Sequence, residues 1–195
     1  MNILVEQLPE AVEIEGIEYA INTDFRACLR AILACEDPEL TPEEKQALTL
    51  ENLYPDQPHN LGKALEQAIK FLNGGEIQDE SDGPRLYSFS KDARFIFAAF
   101  RQTHGIDLES AELHWWKFLA LFMDLGSDTA FCNLISLRKR IKNGKASKEE
   151  RRAYQEMKDL VDLPDTDHRT LEEREQEQEF LRLVSEARRQ RDGGL

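Results

Sequence analysis

Leu113-His114-Trp115-Trp116-Lys117-Phe118-Leu119-Ala120-Leu121-Phe122-Met123-Asp124-Leu125 is the stretch that decides the fold class. Ten of its thirteen residues are apolar, with only His114, Lys117 and Asp124 breaking the run. A helix that is apolar on nearly every side is surrounded by other helices rather than laid on a surface. The stretch therefore predicts the central helix of a mainly α-helical domain, with Trp115, Trp116, Leu119 and Met123 in its core. Upstream, Ser90 is placed to cap a helix carrying Ala93, Ile96, Phe97 and Phe100, closed by His104-Gly105. Downstream, Asp128 opens a helix through Phe131, Leu134, Ile135, Leu137 and Ile141 that ends at Asn143-Gly144. Ser147-Lys148-Glu149-Glu150 is a capping box for a further helix to about Leu163, with Ala153, Met157, Leu160 and Val161 as its stripe and Pro164 as its stop.

Towards the N-terminus the period changes. Val12-Glu13-Ile14-Glu15-Gly16-Ile17-Glu18-Tyr19-Ala20-Ile21 alternates apolar and acidic residues around a glycine, which predicts a small β-hairpin over 12–21. Two strands are not stable alone, so the hairpin must pack on helices or extend a partner's sheet. Asp24 then caps a helix with Phe25, Cys28, Leu29, Ile32 and Leu33 on one face, and Thr41-Pro42-Glu43-Glu44 starts another. A third runs from Leu61 with Ala64, Leu65, Ala68, Ile69 and Leu72 also inward, stopping at Gly74-Gly75. Residues 74–84, rich in acids and glycine, predict a loop. The reading is a single domain over 1–163, with a helical core over 24–163 and an appendage over 164–195. That appendage is a charged C-terminal helix whose one apolar stripe is Phe180, Leu183, Val184 and Ala187. Burying so narrow a stripe does not offset ordering about thirty residues at roughly 1–2 kcal/mol each. Residues 165–195 are thus expected to be dispensable for folding and needed for assembly with a partner or another copy.

Composition excludes more than it assigns. The chain has 195 residues and a net charge of −13, and no apolar run exceeds six residues, the length of Phe118 to Met123. A membrane helix needs about 20 such residues, so no span is expected. The N-terminus lacks the basic start of a signal peptide, and three cysteines do not make a disulfide framework, so a cytoplasmic location is expected. Residues 1–90 carry 18 acidic against 6 basic side chains, and residues 91–195 carry 20 against 19. The basic run Arg138, Lys139, Arg140, Lys142, Lys145, Lys148, Arg151 and Arg152 reads as a solvated helix–loop–helix corner or as a patch that meets an acidic surface, such as that of another copy or Glu172 to Glu179. The overall negative charge and the absence of interleaved aromatics argue against nucleic acid.

Catalytic motifs are missing. Gly74-Gly75 follows a helix and is no phosphate loop. Cys28 and Cys35 lie on one helical face without two further metal ligands, and with Cys132 they read as small core residues. His104, Asp107, His114 and Lys117 are the one constellation with acid–base potential, His104 and His114 being its alternative catalytic pair, but both histidines also suit structural roles at helix edges. No enzyme, cofactor, catalytic residue or metal site is expected. Trp115-Trp116 fits packing, with at least one indole N–H bonded to a neighbouring helix or chain. The partner-binding candidates are accordingly Trp115, Trp116, Phe180, Leu183, Val184 and Ala187.

Several segments together resemble a known family. Asp24-Phe25-Arg26, Lys91-Asp92-Ala93-Arg94-Phe95-Ile96-Phe97-Ala98-Ala99-Phe100, His104-Gly105-Ile106-Asp107-Leu108 and Leu113-His114-Trp115-Trp116-Lys117-Phe118 occur in the order and spacing of the bacteriophage gene-product-fifteen family of tailed phages and prophages. The resemblance spans roughly Asp24 to Leu163. It implies a gene between those of the major tail protein and the tape-measure protein, where tail assembly chaperones are encoded. The implied function is a non-enzymatic tail assembly chaperone that coats the tape-measure protein. The alternative is a minor structural protein of the tail or virion.

Overall fold

The hairpin forms where the alternation places it. Strands β1 (Ala11–Ile14) and β2 (Ile17–Ala20) pair antiparallel, with Ala11 opposite Ala20 and Ile14 opposite Ile17. The two residues between them, Glu15 and Gly16, have φ of 52° and 82°. Two positive φ values are what a type I′ turn needs to match the twist of its strands. The hairpin is tied to the helices through His59, whose ring nitrogens meet Tyr19 Oη at 2.7 Å and Glu15 Oε2 at 2.9 Å. That histidine bond is the largest cause holding the Glu15 carboxyl below its ordinary value of 4.5, followed by the bond from Asn60. The tether contributes fully above the unfolded carboxyl value and is lost as pH falls through the lowered one. An acid titration followed by NMR should therefore report loosening at Asn60 only in that window, whereas loosening already at neutral pH would contradict it.

The computed structural model describes residues 3–75 and 85–164. Eight helices follow the hairpin among them: α1 Phe25–Glu36, α2 Pro42–Leu53, α3 Leu61–Leu72, α4 Ala93–His104, α5 Trp115–Met123, α6 Ala130–Lys142, α7 Lys148–Glu156 and α8 Lys158–Val161. No helix among the described residues is long and apolar enough to cross a membrane. Residues up to Pro164 belong to one compact unit, and the unit from Asp165 to Leu195, which holds the expected C-terminal helix, lies outside the described residues.

Helix starts follow local chemistry. Asp24 accepts from the Arg26 N–H, Asn60 from that of Lys63, and the Thr41–Glu44 and Ser147–Glu150 boxes both close. Two starts differ from expectation. Thr129, rather than Asp128, caps α6, because its hydroxyl donates to Gly126 O at 2.8 Å while accepting from the Cys132 N–H at 3.2 Å. A carboxylate offers only the second bond, and Asp128 instead takes Gln102 Nε2. Ahead of α4, Ser88 supplies the hydroxyl for the Lys91 N–H, and the N-cap position falls on Asp92 rather than Ser90. The Asp92 carboxylate makes no cap bond and turns into the core.

Its partner there is Arg138. The sequence placed this arginine in an exposed basic corner, yet it is 2% exposed. Both terminal guanidinium nitrogens meet the Asp92 carboxylate, at 2.5 and 2.9 Å. The remaining donors reach the carbonyls of Leu86, Leu160 and Val161. One residue thereby joins α6, the start of α4, the chain entering it and α8. The other expected end of that region is also corrected. The predicted helix to Leu163 breaks at Met157, and Met157 and Leu160 of its stripe are exposed.

The core centres on Phe118. Its ring stacks on Phe25 at 5.1 Å, Phe100 at 4.9 Å and Trp115 at 5.4 Å, so α1, α4 and α5 share one aromatic layer. Helix α5 is not enclosed on every side as expected: Trp115 and Phe118 are buried, but Met123 is 86% exposed. Leu33, Leu61, Ile69 and Phe97 likewise lie on the outer faces of their helices, with Phe71 turned inward in α3. Cysteines split too, because Cys28 is buried while Cys35 is exposed. Burial pushes the Cys28 thiol up to about 12, with the nearby Asp24 charge adding to it. A thiol reagent near about pH 8 should thus label Cys35 and spare Cys28 in the native protein, as read by mass spectrometry of peptides; equal labelling would contradict the burial.

Candidate functional site

Family-like segments that are far apart in sequence meet at the start of α5. Asp24 pairs with His114 in an isolated antiparallel bridge, with Phe25 N bonded to Leu113 O at 3.1 Å and Trp115 N to Thr23 O at 2.7 Å. Arg26 extends from α1 to the carbonyls of Leu108, Glu109 and Ala111, fixing the loop that enters α5. Asp24 thus caps a helix, Phe25 enters the aromatic layer and Arg26 clamps a loop.

His114 is the N-cap of α5, a role the sequence reading did not give it. Its Nδ1 accepts the Trp116 N–H at 3.0 Å, which fixes the Nε2–H tautomer, and Nε2 donates to Pro9 O at 3.0 Å. That second bond holds the N-terminal strap, residues 3–10, beside α5. His104 bonds Leu121 O through Nε2, and Asp107 pairs with Arg101 at 3.0 Å and accepts from the Glu109 N–H. No hydrogen bond joins any two of His104, Asp107, His114 and Lys117, so the structure does not assemble them into an acid–base unit.

Gly74 and Gly75 close α3 by bonding Phe71 O and Lys70 O, and both tryptophans reach the same end. Trp115 Nε1 donates to Leu72 O and Trp116 Nε1 to Phe71 O, each at 2.9 Å. The last carbonyls of a helix lack intrahelical donors; an indole supplies one to Leu72 O, and Phe71 O receives the second indole beside the Gly74 N–H. Trp115 is 1% exposed, so its ring offers no surface; Trp116 is half-buried and keeps an outward edge. Gly75, with φ of 87°, lies so close that a Cβ would stand 2.8 Å from Trp116 Cη2. Gly75→Ala should cost roughly 1–2 kcal/mol from the left-handed backbone alone and more from the displaced ring. Gly144→Ala, with φ of 67° and nothing within 4 Å of the added carbon, isolates the backbone part. Equal losses in urea unfolding for the two variants would contradict the ring contact.

Between the strap and α5 lies an open cleft of about 930 Å³. Glu6, Glu10, Asp24 and Glu112 make its rim acidic against the single Lys117, while Leu8, Leu113, Trp116 and Ala120 supply its apolar wall. No group of three or more His, Cys, Asp or Glu among the described residues is arranged to hold a metal ion. The other four partner-binding candidates, Phe180, Leu183, Val184 and Ala187, lie outside the described residues.

The family model described as bacteriophage Gp15 protein matches residues 4–163. The chain belongs to the bacteriophage Gp15 family. No protein of curated function and no solved structure matches it. The matched region contains the hairpin, all eight described helices, and the strap and cleft lining apart from Ile3.

Proposed function

We propose that this Gp15 protein is a non-enzymatic tail assembly chaperone that binds the tape-measure protein in the cytoplasm of the host. Membership of the phage family over residues 4–163 carries the reading, through the tail-gene neighbourhood that the family resemblance implies. Three features of the molecule support it. The net charge of −13 favours solubility while apolar surface is on offer. Helix α5 leaves Ala120, Met123 and the edge of Trp116 outward beside an open cleft, which suits docking of an amphipathic helix against a groove. His114 caps α5 and bonds Pro9 O, and His104 bonds Leu121 O, structural uses that favour a binding role over a catalytic one.

Mass spectrometry of purified phage particles tests the reading. A chaperone is released before maturation and should be absent from the virion; recovery at stoichiometric copy number would make it a structural protein of the tail instead.

A further inference from the structure

Helix α5 keeps one apolar stripe outward. Trp116, Ala120 and Met123 stand at i, i+4 and i+7, so they line up over about 10 Å of helix, and Met123 is 86% exposed. Trp116 and Ala120 are also wall residues of the cleft, to which the strap adds Ile3 and Leu8. Carboxylates edge this surface. Of the four on the rim, Asp24 is already engaged, accepting from the Arg26 N–H and meeting the Arg26 guanidinium at 3.5 Å. Glu10 and Glu112 are exposed, and their carboxylates have no hydrogen-bond or ion-pair partner among the described residues. Lys117 is the only lysine or arginine in the lining. Such a surface is complementary to a ligand that is apolar along one side and positive at its margins.

We propose that the α5 cleft docks a basic amphipathic helix of a partner protein, its apolar face on Trp116, Ala120 and Met123 and its lysines or arginines against Glu10 and Glu112. Naming the tape-measure protein as that partner rests on the chaperone reading; the chemistry of the groove does not. Charge complementarity selects the sign of the ligand, and the net charge of −13 steers a cationic segment towards the rim. Backbone pairing selects its form. The peptide groups of α5 bond within their own helix, so this wall offers side chains and no ladder for an added strand, and a helix brings its own hydrogen bonds already made. Methionine at the open end of the stripe is unbranched and adapts to different apolar neighbours. The cleft therefore reads charge and amphipathicity rather than one fixed sequence, and successive segments of one partner fit the same site.

Fluorescence anisotropy of a labelled helical peptide of about 18 residues, leucine on one face and lysine on the other, tests it with the full chain. The peptide should bind saturably and shift the emission of Trp116, whose outward edge it covers. Glu10→Lys with Glu112→Lys should weaken binding by about tenfold or more, and so should Met123→Glu. The doubly reversed chain should instead take up the same peptide with glutamate in place of lysine. Glu39→Lys with Glu149→Lys, exposed and outside the cleft lining, changes the net charge equally and should leave binding unchanged. All five positions are exposed, so melting curves should stay close to wild type. No binding by wild type overturns the proposal, as does equal weakening by the remote pair. Emission that shifts when the protein alone is concentrated, with no response to peptide, assigns the cleft to a second copy and also overturns it. Tape-measure protein that co-purifies with a chain blind to the peptide removes this site and leaves the chaperone reading standing, whereas peptide binding without co-purification supports the groove and counts against that reading.

Discussion

Replacing Arg138 with methionine should lower the unfolding free energy by about 3–5 kcal/mol, the usual cost of stranding one member of a buried ion pair. The physical reason is Asp92. Both residues are almost wholly buried, and Asp92 loses the two bonds at 2.5 and 2.9 Å that hold its charge. Its other bond, from the Ser88 N–H at 3.0 Å, is not enough for a buried carboxylate. The carbonyls of Leu86, Leu160 and Val161 lose donors in the same substitution. Asp92→Leu should be about as costly, since it leaves the guanidinium unpaired. The double variant should cost well under the sum, because the second change removes the stranded charge. Urea unfolding of the four proteins completes the cycle. Additive losses, or an Arg138→Met effect under about 1 kcal/mol, would return this arginine to the solvated corner where sequence reading put it.

Trp115→Ala should cost a similar amount, about 3–5 kcal/mol, by emptying a large volume from the core. Its ring stacks on Phe118 at 5.4 Å, so the change opens a void beside the residue on which α1, α4 and α5 converge. It also removes the indole donor that closes α3 at Leu72 O. Trp116→Ala, at a half-buried position, should cost clearly less, although it removes a bond of the same length. Trp115→Phe separates the effects, keeping most of the ring volume and giving up the hydrogen bond, for a loss of about 1 kcal/mol. Equal losses for the two alanine variants in denaturant unfolding would contradict the division of labour between the adjacent indoles.

Periodicity and capping chemistry made most of the elements readable. The hairpin, the Asp24 and Thr41 starts, the Gly74-Gly75 stop and the apolar α5 are all set by neighbouring residues. What escaped was set by distant ones. Arg138 lies seven residues after Phe131 and four after Leu134, on the buried stripe of α6. That position carried the signal, but an arginine is placed inside only when a carboxylate far along the chain waits for it. Asp92 is 46 residues away, and nothing local marks it as that partner. His114 was legible only as a polar residue at the edge of an apolar run. Its capping of α5 and its hold on Pro9 depend on the strap folding back over 105 residues. The tryptophan pair was readable as packing with an indole in need of an acceptor, and the acceptors proved to be the last carbonyls of α3. The outward face of α5 was misjudged for a related reason: composition says how apolar a helix is, while the arrangement of its neighbours decides which side stays open.

Co-expression of the full chain with the tape-measure protein of the same phage genome tests the functional account most directly. The quantity to measure is the soluble fraction of tape-measure protein, together with its recovery on the tagged Gp15 chain. The account predicts that the tape-measure protein, insoluble or degraded when made alone, becomes soluble and co-purifies with this protein. An unchanged soluble fraction with no co-purification, from a Gp15 chain that is itself folded and abundant, would contradict it.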